Sequence, residues 1–255
     1  MIHPASLLPK SLKPWLWQQL SRLMHLQYRL PSGLHIHIAS YSDWCIYNDI
    51  FVAGEYDRAI DAALGKATPE QTFRVVDLGA NVGFFTMRVL DLIARRQIPF
   101  ASIDCLLVEA SPRLRPSLQR HLTSLSRKEL TIRIVTGLIG LKTGEAQLEL
   151  KASECMNQVV ENSPSKSCRV PYYNLEEALD DTAGINILKC DIEGSERDFL
   201  QSYPQLLRNT KVAVFEFHDP MCPASVGVPK VMSAGFATSH VLLDQGHAKT
   251  ILFER

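Results

Sequence analysis

From Phe73 onward, short apolar runs rich in valine and isoleucine alternate with stretches whose apolar residues recur at helical spacing. Such alternation marks βαβ units in a parallel sheet, whose strands are covered on both faces and therefore read as nearly continuous apolar runs. It predicts strands over 74–78, 103–109, 131–136, 185–190 and 211–217, and helices over 84–96, 113–125, 175–181 and 196–207. The run LKTGEAQLELK after Gly140 predicts a small hairpin turning at Thr143-Gly144. The final SHVLLDQGHAKTILFER predicts two antiparallel strands joined near Gln245-Gly246, and the polar stretch from Cys155 to Cys168 predicts a loop.

Ahead of this core the pattern is different. Trp15, Leu16, Leu20, Leu23 and Met24 fall close to one helical face, which predicts a helix capping the domain's own core; a membrane-surface or partner-docking helix is the alternative. Leu34-His35-Ile36-His37-Ile38 alternates apolar and polar, as a half-buried strand does. His35 and His37 would share a face at ligand-like spacing, but no third ligand stands nearby in sequence, so packing or surface roles are expected.

Composition narrows the function classes. The chain has 255 residues, enough for one large α/β domain, and its 27 basic and 27 acidic side chains cancel. No basic excess of the kind duplex binding demands is present, so no nucleic-acid partner is expected. None of the six cysteines forms a C-x-x-C pair; Cys105 and Cys190 sit in apolar runs, as small core residues of a reducing compartment do. No transmembrane segment is expected, because no apolar run approaches the ~20 residues a bilayer span needs. The start of the chain lacks the apolar stretch and cleavage site of a signal peptide, and a cytoplasmic location is the expectation.

Three segments carry the chemistry. In VVDLGANVGFFT, a buried strand ends at Asp77 and is followed by Gly79, Ala80, Asn81 and Gly83 before a helix begins. In open α/β sheets ligands bind beyond the carboxyl ends of the strands, where such a turn lies. Gly79 permits a tight turn, Gly83 permits close approach of the next helix, and N–H groups at the helix start can meet an anionic group. The spacing is not the G-x-G-x-x-G of a pyrophosphate cradle, since Asn81 brings a side chain into that space; a ligand without pyrophosphate, such as S-adenosylmethionine, suits it better. Glu109 ends the next apolar run, IDCLLVEAS, where an acid can accept hydrogen bonds from ribose hydroxyls. In INILKCDIEGSERDFL, Asp191, Glu193 and Glu196 crowd the end of the fourth predicted strand, with Glu196 expected at the next helix start. VAVFEFH then puts Glu216 and His218 at the end of the fifth. So many carboxylates with an imidazole need a cation, a proton or hydroxyl ligands nearby.

Together, VVDLGANVGFFT, LLVEASPRLRPSLQRHL and ILKCDIEGSERDFLQSYPQLL with VAVFEFH resemble the FkbM-type methyltransferases, over about 73–218 and the tail. NDIFVAGEYD resembles that family's entry segment; Ser195 replaces a common alanine, and residues to about Leu30 lie outside the resemblance. The resemblance implies a Rossmann-like class I methyltransferase fold: a mostly parallel seven-stranded sheet with its last strand antiparallel and helices on both faces. It divides the chain into an N-terminal helical and strand extension, 1–66, packing on an S-adenosylmethionine-binding domain, 67–255. It implies S-adenosylmethionine as donor and oxygen methylation of a sugar, lipid or other secondary metabolite. On this reading Asp77, Gly79, Ala80, Asn81 and Gly83 hold the methionine end, Glu109 the ribose, Asp191 also touches the cofactor, and Tyr56 with Glu55 closes over it. His218 is the expected base, its imidazole poised near neutral pH, while Asp191 and Glu193 orient the acceptor or, with Glu216, hold a divalent metal. Two other readings use the same residues: an NAD-dependent oxidoreductase, served by the strand–turn–helix and Glu109, and a non-catalytic interaction domain.

Overall fold

The structure, a computed structural model, describes residues 26–123, 125, 128–149, 158–160, 167–179 and 184–255. Seven strands form one sheet: β3 (Thr72–Leu78), β4 (Ser102–Glu109), β5 (Leu130–Thr136), β9 (Ile185–Cys190), β10 (Thr210–His218), β11 (Thr238–Asp244) and β12 (Ala248–Glu254). Their spatial order is β11-β12-β10-β9-β3-β4-β5, and β12 alone runs opposite to the other six strands. The chain winds outward from β3 through β4 to β5, then returns to lay β9 on the other side of β3. That reversal opens a crevice beyond the strand tips.

Alternation along β3 splits the core in two. Val75 joins a cluster on one face with Cys105, Leu107, Ile187 and Val214, while Val76 and Leu78 join Leu106, Leu188 and Phe215 on the other. The first face is covered by α2 (Asp57–Gly65), α3 (Phe84–Arg96) and α4 (Arg115–Thr123), the second by α5 (Leu175–Ala178), α6 (Glu196–Ser202), α7 (Pro204–Arg208) and α8 (Ala224–Ser233).

The five predicted core strands and the tail pair are present, with the tail turning at Gln245-Gly246. The hairpin at Thr143-Gly144 is not. Gly144 only leads into β6 (Glu145–Glu149), which pairs antiparallel with β7 (Gln158–Val160) and β8 (Ser167–Pro171), two strands inside or beyond the expected loop. These partners come from later in the chain, so local turn chemistry does not reveal them. The predicted helix over 196–207 breaks at Pro204, which lacks an amide hydrogen and opens α7 instead. The helix expected near Trp15 lies outside the described residues. The half-buried strand is β2 (His35–Ile38), paired with β1 (Leu26–Arg29).

Between β2 and the main sheet lie α1 (Tyr41–Tyr47), a π-helical turn (Asn48–Ala53) and α2. Ser40 and Asp43 form a reciprocal capping box at the start of α1. A bidentate pair from Arg88 on α3 to Asp57, at 2.7 and 2.6 Å, clamps this entry segment to the core. Among the described residues no helix is long and apolar enough to cross a membrane.

His121 on α4 joins two of these parts. Its Nδ1 is 2.8 Å from the Val82 carbonyl oxygen in the glycine turn, and its Nε2 accepts the His37 N–H at 3.1 Å. Burial holds its pKa below the ordinary histidine value. The unfolded chain therefore takes up this proton first as pH falls, so stability is full above about pH 6.5 and declines below it. We expect the stability advantage of the chain over His121→Gln, measured in urea titrations, to shrink as pH falls from 7.5 to 5.5. An advantage that does not change with pH assigns the acid sensitivity elsewhere.

Candidate active site

The tips of β3, β4, β9 and β10 open on a cavity of about 470 Å³, well within the range of small-molecule sites. Its wall includes Tyr56, Gly79, Ala80, Asn81, Glu109, Lys189, Asp191, Glu193, Glu216 and His218. Val108, Ile139 and Phe85 add an apolar side, and Glu55 enters from the segment before α2, held by a 3.1 Å bond from Thr250. The expected residues are therefore gathered around one hollow, with two exceptions.

Asp77 and Gly83 do not line it. Asp77 is fully buried behind the turn; its Oδ2 accepts the Thr86 hydroxyl at 2.8 Å, and its pKa is raised by burial. Gly83 N-caps α3 without offering a side chain, so Asp77 supplies from the strand tip a carboxylate that meets the helix start. Gly83 has φ +86, and a Cβ there would stand 2.7 Å from the Leu118 side chain; its bareness admits α4 rather than a ligand. Gly79 has φ +72, and a Cβ on it would lie 1.7 Å from the Asp191 carbonyl oxygen. The turn is thus pressed directly against the tip of β9.

Glu109 reaches back over the turn. One carboxylate oxygen accepts the Asn81 N–H at 2.8 Å, the other the Ser111 N–H at 2.7 Å. Each oxygen retains a second lone pair for a ligand hydroxyl. Burial raises its pKa, against the pull of those two amides.

Sequence reasoning missed Lys189. It faces Asp77 across the β9–β3 ladder and is 5% exposed. Its Nζ donates to the Gly79 carbonyl at 3.0 Å and to Asp191 Oδ2 at 3.2 Å, and lies 3.8 Å from Asp77 Oδ1, an atom with no hydrogen-bond partner among the described residues. Burial alone would depress its pKa, yet Asp191 and Asp77 hold the proton and raise it. The signal was a lysine inside the apolar run ILKC.

Glu196 is not merely a charge at a helix start. It is fully buried, and its Oε1 faces His218 Nδ1 at 2.9 Å while accepting the Gly194 N–H at 3.1 Å. His218 Nε2 is thereby turned into the cavity, 3.7 Å from Glu193, 3.7 Å from Glu216 and 3.9 Å from Asp191. Burial and Asp191 raise the pKa values of Glu193 and Glu216. For His218 burial pulls downward, but Glu196, Asp191 and Glu193 outweigh it and raise the pKa. The neighbouring carboxylates thus favour the protonated form of the His218 imidazole. Glu193 occupies left-handed backbone, φ +51, as does Asn81 on the facing turn, a conformation that costs non-glycine residues about 1 kcal/mol or more.

No curated protein matches the sequence. Among solved structures, the FkbM methyltransferase of Methylobacillus flagellatus is similar over 94% of this chain, at 14% identity and a TM-score of 0.51. The chain spans 58% of that protein's length. A TehB-like SAM-dependent methyltransferase of Corynebacterium glutamicum is similar over 84% of this chain and 98% of its own, at 11% identity and a TM-score of 0.41. The methyltransferase FkbM domain matches residues 77–240, more than half of the sequence, and the chain belongs to that family.

Proposed function

We propose that the chain is an S-adenosylmethionine-dependent methyltransferase acting on a hydroxyl oxygen of a small acceptor, a sugar, lipid or other secondary metabolite. The observation that carries this reading is the meeting of the glycine turn, Glu109 and the Asp191–Glu193–His218 group on one cavity. The donor set suits the cofactor: a carboxylate at the β4 tip for a ribose diol, an apolar wall for an adenine, and an excess of carboxylates for a cationic ligand. Bound there, S-adenosylmethionine supplies a methyl group already activated on sulfur.

The chain's own residues divide between two sides. Gly79, Ala80 and Asn81 present backbone, and Glu109 fixes Asn81 while offering its remaining lone pairs. Asp77 acts from behind, fastening α3 and, through Lys189, the turn. Tyr56, packed edge-on against Phe85 at 5.2 Å, closes the entry side with Glu55. Asp191, Glu193 and His218 form the acceptor side, where orienting a hydroxyl supplies much of the rate advantage.

Isothermal titration with S-adenosylhomocysteine and with NAD separates this reading from its rivals. We expect micromolar binding of the first and none of the second. Binding of NAD alone would establish the oxidoreductase, and binding of neither would favour an interaction domain.

A further inference from the structure

We infer that Asp191, Glu193 and His218 form a binding site for a divalent cation, which holds the acceptor through its oxygen atoms. The inference rests on the methyltransferase reading for the acceptor's role, but the ion site stands on its own geometry. One ligand atom from each of the three residues falls within 4.8 Å of the others. Two ligands bonded to one ion at about 2.0–2.4 Å and at least 90° apart stand roughly 3–5 Å from each other. The 3.7 Å from His218 Nε2 to Glu193 and the 3.9 Å to Asp191 fall in that interval and are too long for hydrogen bonds.

The surroundings separate this group from an ordinary acidic patch. His218 is 9% exposed, its Nδ1 is taken by Glu196, and its Nε2 is aimed at the cluster with no hydrogen-bond partner among the described residues. A buried carboxylate behind a histidine is the arrangement that fixes the tautomer and orientation of a metal-ligating imidazole. Asp191 shows the same division of labour: Oδ2 receives Lys189, and Oδ1 is the oxygen 3.9 Å from His218. The lysine thus leaves one oxygen of Asp191 free for the cluster.

Two carboxylates and one imidazole suit a cation between hard and borderline, such as Mn²⁺ or Mg²⁺. Three protein ligands on a six-coordinate ion leave three positions. An acceptor with two adjacent oxygens, such as a vicinal diol, fills two of them and is fixed at both ends, whereas a lone hydroxyl is fixed at one.

The test uses the full chain, stripped with EDTA and titrated with Mn²⁺, free ion being read by its electron paramagnetic resonance signal. One ion per chain is expected, bound at least tenfold more weakly by Glu193→Gln and by Asp191→Asn. Both positions are partly exposed, and S-adenosylhomocysteine titration checks that each variant is folded. Glu196→Gln, which removes the charge behind His218 while keeping an oxygen for the Gly194 N–H, is expected to weaken Mn²⁺ about tenfold or more. No saturable binding at millimolar Mn²⁺ by a chain that binds S-adenosylhomocysteine overturns the inference and leaves the methyltransferase reading intact. So does Mn²⁺ binding indifferent to the two ligand substitutions. Mutual exclusion of Mn²⁺ and S-adenosylhomocysteine also overturns it, assigning the carboxylates to the cofactor's ammonium. Site-dependent Mn²⁺ binding without S-adenosylhomocysteine binding supports the ion site while removing the methyltransferase reading.

Discussion

Gly79→Ala is expected to destabilise the chain by at least about 3 kcal/mol, measured as a lower urea midpoint in equilibrium unfolding. Two effects add. The backbone at φ +72 disfavours any side chain, and the new methyl carbon would lie 1.7 Å from the Asp191 carbonyl oxygen. That obstacle is backbone at the tip of β9, itself bonded to Leu78 through the Asp191 N–H at 3.1 Å, so it cannot swing aside as a side-chain end would. Relief requires β3 and β9 to part at their tips, which separates the two halves of the cavity. Soluble variant is therefore expected to lose S-adenosylhomocysteine binding as well. Retention of wild-type stability would show that this turn is not pressed against β9.

Lys189→Met is expected to cost about 3 kcal/mol. Methionine fills much of the same volume, so the loss measures charge rather than a void. Removing the ammonium leaves Asp77 fully buried with its Oδ1 facing no cation, and leaves Asp191 without its 3.2 Å partner. Asp191 is partly exposed and recovers some hydration, which keeps the cost at the lower end of that for a broken buried pair. The double variant Asp77→Asn/Lys189→Met is expected to regain part of the loss, since the stranded charge is removed with its partner. Additive losses in denaturation of the two single variants and the double would break the proposed link between these side chains.

Much of the central sheet was legible because burial on both faces writes itself as uninterrupted Val, Ile and Leu. β4 and β10 end at Glu109 and His218, and an acid stands one residue before the end of β3 (Asp77) and one residue beyond β9 (Asp191), so the strand tips could be read directly. Less visible were roles that depend on direction. Asp77 sits where a ligand-holding acid is expected, yet strand alternation points it at the start of α3. Glu196 reads as a helix-start acid, but the fold folds it inward onto His218. α8 was hidden by Gly227 and Pro229, both poor helix residues; Gly227 is there because a Cβ would strike the Phe217 ring at 2.1 Å. The entry helices were not distinguished either, and the β6–β7–β8 pairing joins residues too far apart for any local signal.

The place of β12 has a consequence for how the molecule comes into being. That strand lies between β10 and β11, and its register sets Thr250 opposite Glu216 and Ala248 opposite His218. While the chain is being synthesised, strands β3 to β10 can assemble as soon as they emerge, but β10 keeps a bare rim until residues 248–254 arrive. Until then that rim can capture another nascent chain. The last of the seven strands to be made is thus the one that seals the sheet and braces the backbone that carries Glu216 and His218.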